Sequence, residues 1–280
     1  MSETVARGSM AMTLKARRPA YSVMQECLRV QAEAPALSRR ARFFGSSPLS
    51  PDARSWYQGA LGEIEVDRVL SELGPGWTVL HSVPVGSGAS DIDHIVLGPT
   101  GIFTINTKHH ADKKIWVGGG TFMVGGHRTD HLRNSAYEAT RASRLLSAAA
   151  RSEVEVIPAI VLVGTASLKF GDKAPTVTVL TVAQLRKWLL TLPRKHSDEA
   201  LACFALLAEE RGTWHTEALV LTDTLRHEHR FDRLRREIDD AARRRRRWRV
   251  GTALGVLGAS GGVAIALVAT VMSTVVSTIG

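Results

Sequence analysis

The chain has 280 residues and a formal net charge of +9 at neutral pH. Its length suits one domain of ordinary size with extensions, and its two widely separated cysteines argue against a disulfide-stabilised secreted protein. Six positive charges are the arginines at 243–247 and 249, which leaves only +3 for the rest. Charge alone therefore gives little support for a broad nucleic-acid-binding surface on the folded part.

The first part of the chain predicts one flexible segment and one helix. Residues 1–48 show no sustained hydrophobic pattern, apart from a short candidate helix near 22–34. Ser50, Pro51 and Asp52 supply a helix cap, a first-turn proline and an acid that favours the helix N-terminus. We therefore predict a helix from there to about residue 73, followed by a strand over 77–85.

Residues 91–108 form the most informative segment. Two β-branched, apolar runs flank the turn sequence Gly-Pro-Thr-Gly at 98–101, which predicts a hairpin. If the turn centres between its proline and threonine, Asp93 lies opposite Asn106 and Asp91 lies opposite Lys108. Side chains alternate along strands, so all four would share one face.

Such a face suits a divalent cation. Carboxylate oxygens bind Mg²⁺ or Mn²⁺, an amide oxygen adds a neutral ligand, and a lysine stabilises developing phosphate charge. An ordinary solvated strand end explains the same spacing, because the register is assumed and a β-bulge would reverse the faces.

A family resemblance favours the first interpretation. Gly62-Glu63 in the predicted helix, the 93–103 segment and Thr107-Lys108 resemble the nuclease-related domain (NERD) family over roughly residues 55–165. That family is placed among the PD-(D/E)xK nucleases. The resemblance implies an α/β fold with a restriction-endonuclease-like core, in which helices flank a mixed β-sheet. It also implies Glu63 and Asp93 as metal-side carboxylates and Lys108 as the catalytic lysine.

One position departs from the family pattern. The family usually has Glu two residues before the lysine, where this chain has Asn106. The amide keeps an oxygen ligand but removes one negative charge, so weaker metal binding is expected. Three outcomes stay open: a weak nuclease with Asn106 as a neutral metal ligand, a site that uses another carboxylate such as Asp91 or Glu65, or a protein that only binds nucleic acid.

The rest of the domain is predicted to alternate strands and helices. We expect a hairpin over 115–124, a helix over 132–150, strands over 156–163 and 176–180, and helices over 181–192 and 197–210. A further strand is predicted over 217–222 and a charged helix over 231–249.

The C-terminal segment predicts a membrane anchor. No residue from 250 to 280 is charged, and the apolar run over 254–279 exceeds the roughly 20 residues needed to cross a bilayer. The arginines of 243–249 favour a cytoplasmic folded domain and contact with lipid headgroups. A buried or peripheral hydrophobic helix is the alternative. Gly251/Gly255 and Gly258/Gly262 have the small-xxx-small spacing that permits a homodimer through this helix.

These observations predict four segments: a flexible N-terminal segment (1–48), a nuclease-related domain (49–225), a basic juxtamembrane helix (226–249) and a single-pass C-terminal transmembrane anchor (250–280). The predicted function is Mg²⁺- or Mn²⁺-dependent hydrolysis of DNA or RNA, with Glu63, Asp93, Asn106 and Lys108 as the site. The alternative is a catalytically inactive module at the membrane that binds nucleic acid or scaffolds proteins.

Overall fold

A computed structural model of the protein describes residues 14–85, 91–215, 226–250 and 252. The chain divides into two compact units, one formed by 1–29 and 54–228 and the other by 30–53 and 229–280. The first unit contains both β-sheets and all the residues that the sequence predicts for the site.

The helices are α1 (Tyr21–Ala32), α2 (Arg39–Phe43), α3 (Arg54–Leu70), α4 (His131–Ala150), α5 (Val182–Thr191), α6 (Asp198–Glu209) and α7 (Arg211–Trp214). The strands are β1 (Thr78–Pro84), β2 (Asp91–Gly98), β3 (Gly101–His109), β4 (Lys114–Gly118), β5 (Thr121–Val124), β6 (His127–Thr129), β7 (Ile157–Val163), β8 (Ser167–Phe170) and β9 (Thr178–Thr181). Short 3-10 helices lie at Leu14–Ala16 and Ser71–Leu73, and 226–250 is helical.

The main sheet is mixed, with strand order β1-β2-β3-β7-β9. Strands β1, β2 and β3 are antiparallel neighbours, whereas β3, β7 and β9 run parallel. The second sheet has the order β6-β5-β4-β8 and includes the predicted hairpin of β4 and β5. A mixed α/β fold with helices flanking mixed sheets is therefore confirmed.

Alternating side chains of the central strands enter different hydrophobic clusters, as the pleat of a strand requires. On β2, Ile95 and Leu97 pack in a cluster that includes the buried face of α4, whereas Val96 packs in the cluster of α3 and α5. On β7, Val161 joins the α3 and α5 cluster and Ile160 packs with the second sheet. Apolar residues on both faces explain why the central strands read as continuous hydrophobic runs.

Helix α3 follows its predicted signals closely. The Ser50 hydroxyl accepts a hydrogen bond from the Ala53 backbone N–H, and the chain turns once before α3 begins at Arg54. The helix continues into the 3-10 turn at Ser71–Leu73 and ends at Gly74, whose φ of 81° lies in the left-handed region that suits glycine.

The described N-terminal residues are more structured than the sequence suggested. Helix α1 occupies the predicted 22–34 region and buries Tyr21, Met24, Cys27 and Leu28. Residues 14–48 also contain α2 and a 3-10 helix, so the described part of the 1–48 segment has more helix than the sequence predicted.

The membrane prediction is not tested by the fold. No helix among the described residues is long and apolar enough to span a membrane. Almost all of the predicted anchor, 251 and 253–280, lies outside the described residues, as do both small-xxx-small pairs and the predicted strand over 217–222.

Candidate active site

The site lies where β2 and β3 separate. The two strands pair in the predicted register from Gly98 and Gly101 as far as His94 and Ile105. Beyond this point the Asp93 carboxylate accepts a hydrogen bond of 2.7 Å from the Thr107 backbone N–H. The Asp93 side chain therefore replaces the ladder between β2 and β3 here, while β3 stays paired with β7 as far as His109.

Helix α3 supplies Glu63, which is only 4% exposed. Its carboxylate accepts a 3.0 Å hydrogen bond from the Ala20 backbone N–H. Ala20 has a φ of 60°, a conformation that is unfavourable for a residue with a side chain. The surrounding structure therefore maintains a strained residue whose N–H faces the buried carboxylate.

Gly62 lets α3 approach β3 closely at this point. A Cβ added to Gly62 would lie 3.1 Å from the His109 Cβ and 3.3 Å from the Thr107 Cγ2. These contacts are tighter than ordinary van der Waals packing. The pairing of a glycine with Glu63 therefore has a steric reason: the helix must come near the strand to deliver the carboxylate.

We predict that Gly62→Ala lowers the free energy of unfolding by about 1–3 kcal/mol, because the added methyl group overpacks the contact between α3 and β3. The control is Gly59→Ala on the same helix, where an added Cβ meets only the Val23 Cγ1 at 3.4 Å. That change should be neutral or should stabilise the helix by about 0.5–1 kcal/mol. Urea unfolding of both variants checks this. Equal free energies of unfolding for the two variants would contradict the steric role of Gly62.

Asp91 is bound by N-terminal residues. Its carboxylate accepts a hydrogen bond from the Ser22 hydroxyl and lies 3.6 Å from an Arg17 guanidinium nitrogen. Arg17 is 5% exposed and stacks over the Tyr21 ring at 4.6 Å. Burial raises the pKa of Asp91 to about 6, although Ser22 and Arg17 oppose the shift.

Asn106 contacts an acid that the motif does not contain. Its Nδ2 donates hydrogen bonds of 2.9 and 2.7 Å to the two carboxylate oxygens of Glu138 on α4. Asn106 is 5% exposed, and no hydrogen-bond partner for its buried Oδ1 is found among the described residues. Burial raises the pKa of Glu138 to about 7; the hydrogen bond from Asn106 lowers it and the charge of Asp93 raises it.

Lys108 is a cation that acts on three carboxyl groups of the site. Burial raises the pKa of Glu63 well above its ordinary value, and the charge of Asp93 raises it further, whereas Lys108 lowers it. Burial likewise raises the pKa of Asp93, and Lys108 opposes that rise and the rise at Glu138. One ammonium group thus acts on three carboxyl groups from three different elements.

The family model of the nuclease-related domain, NERD, matches residues 58–163. That range includes Glu63, Asp93, Asn106, Lys108 and Glu138. The chain carries a nuclease-related domain. An uncharacterized protein of Bacillus anthracis is 43% identical over 58 residues, which cover 19% of this chain and 27% of that protein. The comparison thus spans about a quarter of that relative. No solved structure matches the chain.

Two histidines border the lysine side of the nuclease-related domain site. The Nε2 atoms of His110 and His131 are 3.3 Å apart, and the rings stack with centroids separated by 5.4 Å. Burial, followed by the charge of Lys108, lowers the pKa of His131 to about 4 and lowers that of His110. Both shifts in pKa favour the neutral imidazole beside Lys108.

The structure brings together most of the residues predicted for the site. Glu63, Asp93, Asn106 and Lys108 belong to one electrostatic group. Asp91 is not paired with Lys108 in the strand register, and it interacts with Arg17 and Ser22 instead. Glu65 is exposed on α3.

Sequence reasoning missed Glu138. A weak signal was present, because Glu138 lies three residues after Ser135 and directly before Ala139, both on the buried face of α4. A carboxylate beside the buried stripe of an Ala-rich helix is costly to desolvate, and this cost marks it as a candidate functional group.

Proposed function

We propose that the nuclease-related domain hydrolyses phosphodiester bonds in nucleic acid with the help of Mg²⁺ or Mn²⁺. The observation that carries the proposal is that Lys108 acts on one buried and two half-buried carboxyl groups, beside a buried Asn106 oxygen that has no hydrogen-bond partner among the described residues. Concentrating acids in a desolvated place is unfavourable without a role.

The donor chemistry fits a hard divalent cation. Glu63 and Asp93 provide carboxylates, and the buried Oδ1 of Asn106 is an oxygen acceptor with no partner among the described residues. Within the described residues, no three acidic, histidine or cysteine groups form a metal-binding cluster. We propose a ligand set of two carboxylates, from Glu63 and Asp93, and one amide oxygen, from Asn106. A bound Mg²⁺ or Mn²⁺ would act as a Lewis acid toward a phosphate oxygen.

The protein groups would divide the remaining work. Lys108 would hold the attacking water or stabilise the negative charge that develops on the phosphate oxygens. The backbone N–H of Thr107 holds the Asp93 carboxylate at 2.7 Å, and that of Ala20 holds Glu63 at 3.0 Å. These contacts preorganise both acids before substrate arrives.

We propose that substrate approaches through a cavity of about 230 Å³ that adjoins the site at Glu138. It is lined by Val85, Asn134, Tyr137, Glu138 and Arg141. Tyr137 is 67% exposed and offers an aromatic surface for a base, while Arg141 offers a cation for a phosphate.

We predict that Arg141→Ala lowers the slope of log affinity against log salt by about 0.7–0.9 for nucleic acid, as expected for one lost phosphate contact. Arg144→Ala is the matched control, because Arg144 is exposed on the same helix and is not among the residues that line the cavity. Fluorescence anisotropy at several salt concentrations would measure both slopes. Identical slopes for Arg141→Ala and wild type would contradict the proposed route.

The test of the proposed function uses the purified full-length chain with labelled single- and double-stranded DNA and RNA. Each substrate is incubated with Mg²⁺, Mn²⁺ or EDTA, with wild type beside Asp93→Asn. The expected result is cleavage that requires the metal and is lost in the variant. Glu65→Gln tests the alternative that this nearby exposed acid is used, and it is expected to cleave like wild type.

Asn106 also favours a second function, a catalytically inactive module that binds nucleic acid. Salt-sensitive binding without cleavage under any metal would support this alternative. The C-terminal membrane anchor, the cytoplasmic location and the contact of the 243–249 arginines with lipid stay predictions. Deleting 250–280 should release the protein from membranes, and persistent membrane association would contradict the anchor.

A further inference from the structure

Asn106 on β3 and Glu138 on α4 are in direct hydrogen-bond contact. Both carboxylate oxygens of Glu138 accept hydrogen bonds from the same amide nitrogen, at 2.9 and 2.7 Å. This orientation of the amide suits an ionised Glu138, because the reversed orientation would place the amide oxygen against a carboxylate. The Asn106 oxygen consequently faces away from Glu138, and it is buried without a partner among the described residues.

The position of Glu138 depends on small residues of α4. Ser135, Ala139 and Ala142 are buried on the face of α4 that packs toward the main sheet. Small side chains allow a close approach of helix and strand, which brings a glutamate within reach of the middle of β3. The contact therefore follows from packing of the whole helix, not from a mobile surface side chain.

Glu138 belongs electrostatically to the candidate active site. It shares Lys108 as a neighbouring cation with Glu63 and Asp93, and the charge of Asp93 acts on it directly. It also lines the 230 Å³ cavity with Tyr137 and Arg141, so the same residue adjoins the proposed substrate route.

We propose that Asn106 and Glu138 act together as the functional replacement for the glutamate that the motif lacks at position 106. Asn106 presents its oxygen to a divalent cation, and Glu138 is a positioning residue that orients and polarises the amide. A carboxylate that accepts hydrogen bonds from the far side of a metal ligand makes that ligand a better donor. The negative charge removed from position 106 is thereby returned to the site by α4.

This inference rests on the proposed metal-dependent function, and Mn²⁺ affinity of the full chain tests it by calorimetry. Glu138→Gln should weaken Mn²⁺ binding by roughly 10–100-fold, the usual effect of losing such a supporting group. The matched control is Glu153→Gln, an exposed glutamate just after α4, which should leave affinity unchanged. Thermal melting without metal distinguishes loss of binding from loss of fold.

The decisive variant combines Asn106→Glu with Glu138→Gln and so exchanges the amide and the carboxylate between the two positions. Asn106→Glu alone places two carboxylates in contact and should bind Mn²⁺ no better than wild type. Combined with Glu138→Gln, it restores one carboxylate and one amide in hydrogen-bond contact, and binding should return to within about threefold of wild type or better, as for coupled neighbours. A purely structural role of the pair would not predict this rescue of metal affinity.

The outcomes separate the two proposals. If Asp93→Asn abolishes Mn²⁺ binding but Glu138→Gln does not weaken it, the role of Glu138 is overturned and the metal site stands. If wild type binds no Mn²⁺, the metal site and this inference both fail. Failure of the exchanged variant to bind better than Glu138→Gln, while still folded, would also overturn the inference.

Discussion

Lys108→Ala is expected to lower phosphodiester cleavage by at least about 100-fold, comparable to losing one preorganised electrostatic group from an active site. The reason is that Lys108 is the common cation of Glu63, Asp93 and Glu138. Its removal takes away both the group that stabilises the reacting phosphate and the charge that favours ionised carboxylates.

Loss of the Lys108 charge should also change how cleavage depends on pH. Because Lys108 lowers the pKa of all three carboxyl groups, its loss should raise those pKa values further, so that protons compete with metal up to higher pH. Residual cleavage of the variant should therefore rise with pH over a higher range than that of wild type. Single-turnover rates from pH 6 to 9 would measure both the loss of cleavage rate and the shift of the pH profile.

The control for the lost charge is Lys114→Ala, which removes an exposed lysine at the start of β4. Lys108→Arg keeps the charge but changes its shape and should retain part of the rate. If folded Lys108→Ala cleaved as fast as wild type, the role assigned to Lys108 in cleavage would be ruled out.

The hairpin of β2 and β3 was predictable because its signals are local. Proline and glycine fix the turn, and the alternating pattern then sets the register, which the structure confirms from the turn to His94 and Ile105. Extending that register to the pairs Asp93–Asn106 and Asp91–Lys108 was wrong, because the Asp93 side chain accepts the Thr107 N–H and the ladder ends at His94 and Ile105. A competition between side chain and backbone is not visible in a hydrophobic pattern.

The parts of the site that come from distant elements were not predictable in this way. Glu138 lies 32 positions from Asn106, and Ser22 lies 69 positions from Asp91. Both contacts depend on how a helix packs on the sheet, and neither residue stands in a recognisable motif. Strand β8 was missed for a different reason: it has only four residues, Ser-Leu-Lys-Phe, and half of them are polar.

Glu138→Gln is expected to make the metal-free protein more stable at pH 8 by about 1–3 kcal/mol, from the linkage between pKa and folding. In the folded protein burial raises the pKa of Glu138 from an ordinary value of 4.5 to about 7. Between these values the folded state binds more protons than the unfolded state, so the contribution of Glu138 to stability falls as pH rises. Glutamine does not titrate, yet its side-chain oxygen still accepts a hydrogen bond from Asn106.

The expected stability difference between the variant and wild type is therefore small near pH 4.5, grows as pH rises toward 7, and is complete at pH 8. Urea unfolding at several pH values, with EDTA present, would measure it, and other titrating groups largely cancel because both proteins contain them. Glu153→Gln should show no such trend. A variant less stable than wild type at pH 8 would mean that ionised Glu138 supports the fold. A variant that is more stable than wild type but binds Mn²⁺ more weakly would show that the Glu138 carboxylate destabilises the fold. Only the metal-bound site would then require that carboxylate.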